Sequence, residues 1–367
     1  MSRTRVLIAG GGTGGHVYPA LALADALVAR GEPVEGIRFV GARRGLEARV
    51  LPTTPYAHTL LTLRGLDRRR SLGALARNLR AIADLVIGTL RIAAGLLAAR
   101  PAVVVGVGGY ASAPAVLAAR MLVIPVVVHE QNAGPGLVNR IAVRLGARAA
   151  ISLPGTPLSG AVLTGNPVRR TVADVVRQPD PDPAVLGIVG GSLGAGRLNE
   201  AALGLARAWR DRTDVRVVHV AGPRYVEACE REFHAGRVPG DVLRYELVGY
   251  EEHMERLYGA VSLAVCRAGA VTVAELAAAG VPSVLVPWSG AAADHQTRNA
   301  EALVSVGGAV MLRDADCDAA HLEAVVGPLL ADRARLDRMG EAARTLARPR
   351  AADDLAALVV EVAGARA

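Results

Sequence analysis

The sequence contains no lysine and few aromatic residues. All 42 basic residues among its 367 are arginines. Without lysine, the chain has no residue for a pyridoxal-phosphate Schiff base or for the lysine of a P-loop. Aromatic residues make up only 3% of the chain, which argues against single-stranded nucleic-acid binding by base stacking. We therefore expect no nucleic-acid partner.

Cysteine is also scarce. Cys229, Cys266 and Cys317 are far apart and form no Cys-x-x-Cys pair, which argues against a structural zinc site or a disulfide framework and favours a reducing cytoplasm. No His-Glu-x-x-His motif is present, which weakens a metalloprotease function. The acidic clusters at 180–182 and 314–318 are both interpreted as solvated loops, the first within a linker and the second at a helix start, so we expect no metal site.

Long uninterrupted hydrophobic segments are missing too. The apolar stretches 81–99 and 101–119 are broken by charged residues or by glycine and proline, so neither predicts a transmembrane helix. The N-terminus enters a predicted strand directly, without the apolar segment and cleavage site of a signal peptide. A net charge of +8 favours anionic partners such as nucleotides, diphosphates or a lipid surface.

Short β-branched segments alternate with Ala- and Leu-rich helical segments along the chain. Predicted strands are 6–9, 36–40, 103–107, 126–129, 161–164, 186–189, 215–220, 242–248, 263–266 and 283–286. Continuous apolar strands between helices predict parallel sheets covered on both faces. Because the order strand, glycine loop, helix begins twice, we expect an α/β protein of two doubly wound, Rossmann-like domains facing a cleft, with ligands at the carboxyl ends of the strands.

The expected domains are 1–165 and 166–367, and the last helix of the chain is a candidate to pack back on the first domain. The polar, proline-rich stretch 177–183 is predicted to be a linker. Residues 71–100 are predicted to be helical with a break near Gly88.

The first glycine loop, Gly10-Gly-Gly-Thr-Gly-Gly-His16, follows a predicted strand and opens a helix. Its N–H groups can receive an anion at the helix N-terminus. Three of its glycines also have the Gly-x-Gly-x-x-Gly spacing of dinucleotide-binding folds, but the second strand leads to Arg43 and Arg44 rather than to an acidic residue. An NADP-dependent oxidoreductase is therefore an alternative. His16 is either a candidate base or a helix-entry residue without a chemical role.

Two further loops of the first half carry candidates. Residues 106–114 follow a strand and contain Gly108, Gly109 and Tyr110, which either form an acceptor loop or pack a strand closely against a helix. His129-Glu-Gln-Asn132 places four consecutive hydrogen-bonding side chains at the end of a strand, more than a structural turn needs. It is either a ligand site or a self-capping turn.

The second half repeats this arrangement. Residues 190–196 form a glycine loop in which Ser192 can offer a hydroxyl and an N–H group to a phosphate. The N–H groups of residues 270–272 form a second anion site at a helix start. Glu275, one turn along, can accept hydrogen bonds from ribose hydroxyls, and Gln296 lies on one helical face with Asn299.

These motifs in order, from about residue 5 to residue 310, resemble glycosyltransferase family 28. The motifs that carry the resemblance are Gly-Gly-Thr-Gly-Gly-His16, Gly-Val-Gly-Gly-Tyr110, His129-Glu-Gln-Asn132, Gly165-Asn-Pro-Val-Arg169, Gly-Gly-Ser192, Arg267 to Glu275 and Asp294 to Ala300. The resemblance implies a GT-B fold and an inverting, metal-independent and cofactor-free transfer of N-acetylglucosamine from UDP-N-acetylglucosamine to lipid I, which makes lipid II for peptidoglycan. The family usually has glutamine where this chain has Leu193.

The resemblance also implies roles for single residues. His16 matches the proposed general base, and we take Glu130 as the second candidate. The residues implied to bind the donor are Thr13, Gly14, Gly15, Asn132, Arg169, Ser192, Glu251, Ala270, Val271, Thr272, Glu275 and Gln296. Glu251 is carried over only by its position after Tyr250.

A lipid-linked acceptor implies access to an anionic membrane surface, and a peripheral location on the cytoplasmic face of the plasma membrane. The region 64–100 interleaves basic and apolar residues, which suits an interfacial helix. The residues in question are Arg64, Leu66, Arg68, Arg69, Arg70, Leu72, Leu75, Arg77, Leu79 and Arg80. An ordinary amphipathic helix is the alternative. Other functions left open are a transferase with another lipid acceptor and a non-catalytic sugar-nucleotide-binding protein.

Overall fold

The computed structural model describes residues 5–65, 71–179, 182–291 and 294–365, with the backbone alone of Leu72. The chain divides into two compact units, Met1–Arg169 with Arg350–Ala367, and Arg170–Pro349. The boundary lies four residues beyond the expected one, because the Arg169 guanidinium stacks at 5.1 Å over the ring of Tyr18 and ties this segment to the first unit. The C-terminal segment belongs to the first unit as well.

The first unit is built on a seven-stranded sheet in which every pair is parallel, in the order β3-β2-β1-β4-β5-β6-β7. Its strands are β1 (Val6–Ala9), β2 (Ile37–Ala42), β3 (Ala57–Leu61), β4 (Val103–Gly106), β5 (Val126–Glu130), β6 (Arg148–Ile151) and β7 (Val162–Leu163). Its helices are α1 (Gly14–Ala29), α2 (Glu47–Val50), α3 (Leu72–Ala98), α4 (Ala113–Met121), α5 (Leu137–Arg144) and, at the end of the chain, α14 (Ala351–Gly364).

Helices cover both faces of this sheet, as its continuous apolar strands require. Leu23 and Leu27 of α1 pack with Leu355 and Val359 of α14 on one face. Ile92 and Leu96 of α3 pack with Ala115 and Val116 of α4 on the other. The predicted strands at 6–9, 103–107 and 126–129 are the centre of the sheet, while β3 and β6 were missed because they are short and contain polar or alanine residues.

Helix α3 runs without the expected break at Gly88. A Cβ at this position would lie 3.3 Å from Leu63 Cδ2 and 3.4 Å from Pro114 Cγ, so the glycine permits close packing rather than ending the helix. Of the described helices, α3 alone is long and apolar enough to cross a membrane, by length and composition only. Ala81 and Leu96 on one of its faces are buried within the unit.

The second unit repeats the architecture with a six-stranded parallel sheet, in the order β10-β9-β8-β11-β12-β13. Its strands are β8 (Ala184–Val189), β9 (Val215–Val220), β10 (Arg244–Val248), β11 (Leu263–Cys266), β12 (Ser283–Leu285) and β13 (Ala309–Met311). Its helices are α6 (Arg170–Ala173), α7 (Gly196–Ala208), α8 (Val226–Gly236), α9 (Met254–Ala260), α10 (Ala270–Ala279), α11 (His295–Ser305), α12 (Ala319–Ala331) and α13 (Arg333–Thr345). Two doubly wound, Rossmann-like units confirm the predicted fold class.

The segment predicted to be a solvated linker begins with a residue that is anchored in the second unit. Arg177 donates at 2.8 Å to the carbonyl oxygens of Gly280 and Val261, and burial lowers its pKa to about 10. The interpretation of this arginine as part of a linker was wrong, because its guanidinium closes the loops at the ends of α10 and α9.

Candidate functional site

His16 lies in the first turn of α1, directly after the glycine loop that follows β1. Its Nδ1 is 3.2 Å from Oε1 of Gln131. The imidazole packs against Gly108 and Gly109, whose φ angles of +91° and +73° favour glycine. A Cβ on Gly109 would lie 2.6 Å from the carbonyl oxygen of Gly11 and 3.0 Å from His16 Cδ2. The loop 106–114 therefore passes the ring at a distance that only glycine allows.

A buried polar network lies behind His16. The side-chain Nε2 of Gln131 donates to the carbonyl oxygen of Val107 at 2.8 Å and lies 3.0 Å from Nδ1 of His129. His129 Nε2 is 2.9 Å from the carbonyl oxygen of Gly165 and 3.2 Å from Oγ of Ser152. Burial lowers the pKa of His129 to about 4, so its ring is neutral at pH 7.

Glu130, the second candidate base, organises the loop that follows β5. Its Oε1 accepts from the backbone N and side-chain Nδ2 of Asn132, at 3.1 and 3.3 Å. Its Oε2 accepts at 2.8 Å from Gly136 N and from Asn139 Nδ2. With the side chain 3% exposed and four N–H groups directed at it, this geometry favours positioning of Asn132 over proton transfer. Its role as a base stays a prediction.

Glu47 is a residue that the sequence analysis missed. Its carboxylate is buried beneath the first glycine loop, where Oε2 accepts from Gly12 N at 2.7 Å and Oε1 from Ala42 N at 2.9 Å. Gly11, Gly41 and Gly45 surround it so closely that a Cβ on any of them would overlap the carboxylate or its stem. Gly41 and Gly45, on either side of Ala42, were the sequence signal that could have indicated this buried carboxylate. Residues without a side chain leave a space that a neighbouring side chain, here that of Glu47, can fill.

Tyr110 lies beside this loop and is 36% exposed. Burial raises its pKa, the negative charge of Glu47 raises it further, and Arg44 lowers it. Thr13 is exposed at the N-cap of α1, with Gly14 and Gly15 in the first turn. The N–H groups of a first turn have no acceptor within their own helix.

In the second unit, the glycine loop after β8 leads into α7. Ser192 is partly exposed, and Leu193, where the family usually has glutamine, is 52% exposed. Behind this loop, Nδ2 of Asn199 donates to the carbonyl oxygen of Ala221 at 3.0 Å, and Oδ1 of Asn199 lies 3.0 Å from Nε2 of His219. His219 is buried, which lowers its pKa to about 4.

The predicted anion site at residues 270–272 is the N-terminus of α10, with Gly269 at the N-cap. Glu275 is 6% exposed, and its Oε2 accepts from the hydroxyl of Tyr258 at 3.0 Å. The structure therefore places this carboxylate inside the unit, in the second turn of α10, where Tyr258 fixes its orientation.

Two more predicted donor residues make local hydrogen bonds in the second unit. Gln296 Oε1 accepts from the backbone N of Trp288 at 2.9 Å, and Glu251 Oε1 accepts from the backbone N of His253 at 2.7 Å. Ala270, Val271, Thr272, Glu275, Gln296, Glu251 and Ser192 all belong to the second unit, whereas Thr13, Gly14, Gly15, Asn132 and Arg169 belong to the first.

The acidic cluster at 314–318 is less solvated than expected. Asp314 accepts from Arg267 Nη1 at 2.7 Å and from the hydroxyl and backbone N of Ser289, and these hydrogen bonds hold its pKa below the usual value despite burial. Over residues 5–65, 71–179, 182–291 and 294–365, no group of three His, Cys, Asp or Glu side chains could hold a metal ion.

Two family models match the chain, the glycosyltransferase family 28 N-terminal domain over residues 6–151 and the C-terminal domain over residues 185–355. The UDP-N-acetylglucosamine--N-acetylmuramyl-(pentapeptide) pyrophosphoryl-undecaprenol N-acetylglucosamine transferase of Salinibacter ruber is 40% identical over 380 residues, 98% of this chain and 96% of the relative. The transferase of the same name from Nocardioides sp. is 40% identical over 377 residues, 98% of each chain.

Solved structures give a consistent result. The crystal structure of Acinetobacter baumannii MurG matches with a TM-score of 0.77 and 31% identity, covering 98% of this chain and 99% of that one. CalG4, the calicheamicin glycosyltransferase, matches with a TM-score of 0.67 at 20% identity over 98% of this chain and 99% of its own, and so shares the fold.

Proposed function

The chain belongs to glycosyltransferase family 28, and we propose that it transfers N-acetylglucosamine from UDP-N-acetylglucosamine to the C4 hydroxyl of the N-acetylmuramyl sugar of lipid I, which yields lipid II for peptidoglycan synthesis. The observation that carries this proposal is the match to transferases named for this reaction over 98% of the chain. Both units have the doubly wound form of a GT-B enzyme.

The reaction needs a base, and we assign this role to His16. In an inverting transfer, the acceptor oxygen bonds to the anomeric carbon of the donor sugar as the bond from that carbon to UDP breaks. UDP leaves with the electron pair, and the hydroxyl proton passes to the base. The hydrogen bond from His16 to Gln131 and the glycine loop against its ring support this assignment, because both orient the imidazole.

The leaving UDP carries a developing negative charge. Helix N-termini can stabilise such a charge without a metal ion, and α7 and α10 each begin directly after a strand and loop of the second unit. We assign donor binding to these helix starts with Ser192, Glu275 and Gln296. The other residues that we assign to the donor by motif match are Thr13, Gly14, Gly15, Asn132, Arg169, Glu251, Ala270, Val271 and Thr272.

The NADP-dependent alternative is not supported. Besides the relatives, the first glycine loop itself argues against it, because the Gly12 amide already donates to the Glu47 carboxylate. A dinucleotide pyrophosphate would have to bind beside this buried negative charge, which is unfavourable in a low-dielectric site.

The direct test is a transfer assay with labelled UDP-N-acetylglucosamine and a lipid I analogue. Wild-type protein should form the disaccharide product, and its absence would overturn the proposal. His16→Ala should lower kcat by ~10²–10⁴-fold, the usual share of a general base, with little change in the donor KM. His321→Ala, at an exposed helix start in the second unit, is the matched control and should keep full activity.

Access to a lipid acceptor is the second part of the proposal: the protein sits peripherally on the cytoplasmic face of the plasma membrane. The surface in question is a stripe of exposed apolar side chains on α3, each at least half exposed. The stripe consists of Leu75, Leu79, Ile82, Val86, Leu90 and Leu97. Their intervals of three, four and seven residues put them on one helical face.

The surroundings of the stripe also suit an anionic interface. A cavity of about 490 Å³ between α3 and α4, lined by Leu85, Leu117 and Met121 among others, extends the apolar surface. Arg77 and Arg80 are exposed on α3, whereas Arg64 pairs with Asp84 at 2.9 Å. Leu66, Arg68, Arg69 and Arg70, also predicted to face lipid, lie outside the described residues, as does the side chain of Leu72.

Vesicle binding tests this surface. Changing Leu79 and Leu90 together to glutamine should weaken binding to phosphatidylglycerol vesicles by tenfold or more, since burying each leucine contributes ~1.5–3 kcal/mol. Turnover of a water-soluble acceptor analogue should persist. Val238→Gln with Val242→Gln, at 45% and 48% exposure in the second unit, is the matched control. Undiminished binding by the α3 variant would favour an ordinary amphipathic helix.

A further inference from the structure

We propose that Gln131 is a positioning residue for the transfer: with the buried His129, it fixes His16 as the tautomer that carries its proton on Nδ1, so that Nε2 is the basic nitrogen. The proposal rests on the proposed function, in which His16 takes the acceptor proton. It follows from which groups in the network can donate and which can only accept.

The chain of reasoning begins at Gly165. Its carbonyl oxygen can only accept, and His129 Nε2 lies 2.9 Å away, so this nitrogen carries the proton of the His129 ring. His129 is completely buried, and burial lowers its pKa to about 4. Because the ring is neutral, its Nδ1 has no proton and can only accept.

The orientation of the Gln131 amide follows. One end of the amide lies 2.8 Å from the Val107 carbonyl oxygen and 3.0 Å from His129 Nδ1. Both of these atoms are acceptors, so this end must be the NH₂ group, which has two protons to give. The reversed amide would place its oxygen against two lone pairs inside the protein, where unpaired polar groups are costly.

The amide oxygen therefore faces His16. Oε1 of Gln131 is 3.2 Å from His16 Nδ1 and can only accept, so His16 Nδ1 carries the proton. In a neutral imidazole, a proton on Nδ1 makes Nε2 the nitrogen that takes up another. Gly108 makes room for this hydrogen bond, because a Cβ there would lie 3.1 Å from His16 Cε1 and 3.3 Å from Gln131 Oε1.

The hydrogen-bonded partner of His16 is neutral, unlike the aspartate that orients the histidine of a serine protease. An amide oxygen selects the tautomer and the ring orientation without adding a negative charge next to the base. We therefore expect Gln131 to act on kcat through His16, and to leave the binding of the donor unchanged.

The test is the tautomeric state of His16, read from ¹⁵N chemical shifts of the imidazole in the full-length protein. Wild type should show the Nδ1–H form. Gln131→Met keeps the size of the side chain but removes the acceptor, so the Nδ1–H form should lose its dominance and kcat should fall by about three- to tenfold, the effect of one hydrogen bond.

Tyr245→Phe is the matched control. It removes a hydroxyl 2.7 Å from Nδ1 of His219, the other buried histidine, and should alter neither the His16 spectrum nor kcat. A wild-type His16 protonated on Nε2 would overturn the proposal, even if Gln131→Met failed to fold. So would a folded Gln131→Met protein with an unchanged tautomer. A wild-type Nδ1–H tautomer without transfer of the sugar would instead count against the proposed function.

Discussion

The buried carboxylate of Glu47 offers a sharp test of how the first glycine loop is held. Glu47→Gln keeps the shape of the side chain but replaces one oxygen by an NH₂ group. The two oxygens of Glu47 accept from Gly12 N and Ala42 N, so in the variant one of these N–H groups faces another donor. The side chain is 1% exposed, so water has little access to replace the lost acceptor.

The size of the effect follows from these contacts. Losing a hydrogen bond to a charged group costs ~1.5–3 kcal/mol. We therefore expect the free energy of unfolding of the first unit to fall by about 1.5–3 kcal/mol. For a unit of this size each kcal/mol lowers Tm by roughly 2–4 °C, which gives a decrease of about 3–12 °C. Because Gly12 precedes Thr13 and α1, transfer activity should fall too.

Calorimetry and the transfer assay, run on the same preparations, measure both effects. Glu361→Gln, an exposed change of the same charge on α14, is the control and should leave Tm and kcat unaltered. If Glu47→Gln matched wild type in Tm and in kcat/KM, the reasoning that this carboxylate holds the loop would be refuted.

Two further predictions concern the histidines and the glycine loop. Burial lowers the pKa values of His129 and His219 to about 4, whereas histidine in an unfolded chain has a pKa near ~6.5. Between these two pH values the unfolded state therefore binds more protons than the folded state. Each unit should lose ~1.4 kcal/mol of stability per pH unit as the pH falls through this range. Thermal melts across this range check it, and His219→Gln should flatten the curve of the second unit only. Gly109→Ala should lower kcat severalfold more than Gly155→Ala, a loop glycine with a similar φ of +78° but open space around it, because only the first change pushes on the His16 ring; equal effects in steady-state kinetics would contradict this.

The alternation of apolar strands and helices was sufficient to predict both doubly wound units. It failed where an element is short or where packing decides. Strands β3, β6 and β13 have three to five residues with polar or alanine positions, so their pairing in the sheet defines them more than their composition does. Gly88 looked like a helix break because its contacts with Leu63 and Pro114 come from distant parts of the chain.

The candidate site was predicted only at the level of motifs. The loop before His16 and the four polar residues at 129–132 were recognisable because they follow strands. Their mutual contact was not, since His16 and Gln131 are separated by 115 positions. Glu47 lies 35 positions from Gly12 and belongs to no motif. Only the structure shows that an amide of the first glycine loop is hydrogen-bonded to this carboxylate.

This internal anion distinguishes two loops that look alike in the sequence. Both follow the first strand of a sheet and open a helix, yet the loop of the first unit donates an amide to Glu47. In the second unit, the amides of Gly190 and Gly194 donate to backbone carbonyl oxygens, those of Val220 and Gly191. A diphosphate at the first loop would lie beside this buried negative charge, so we expect electrostatics to favour the second unit for the sugar nucleotide. We therefore expect the first loop to present His16 beside the donor and the second loop to hold the diphosphate.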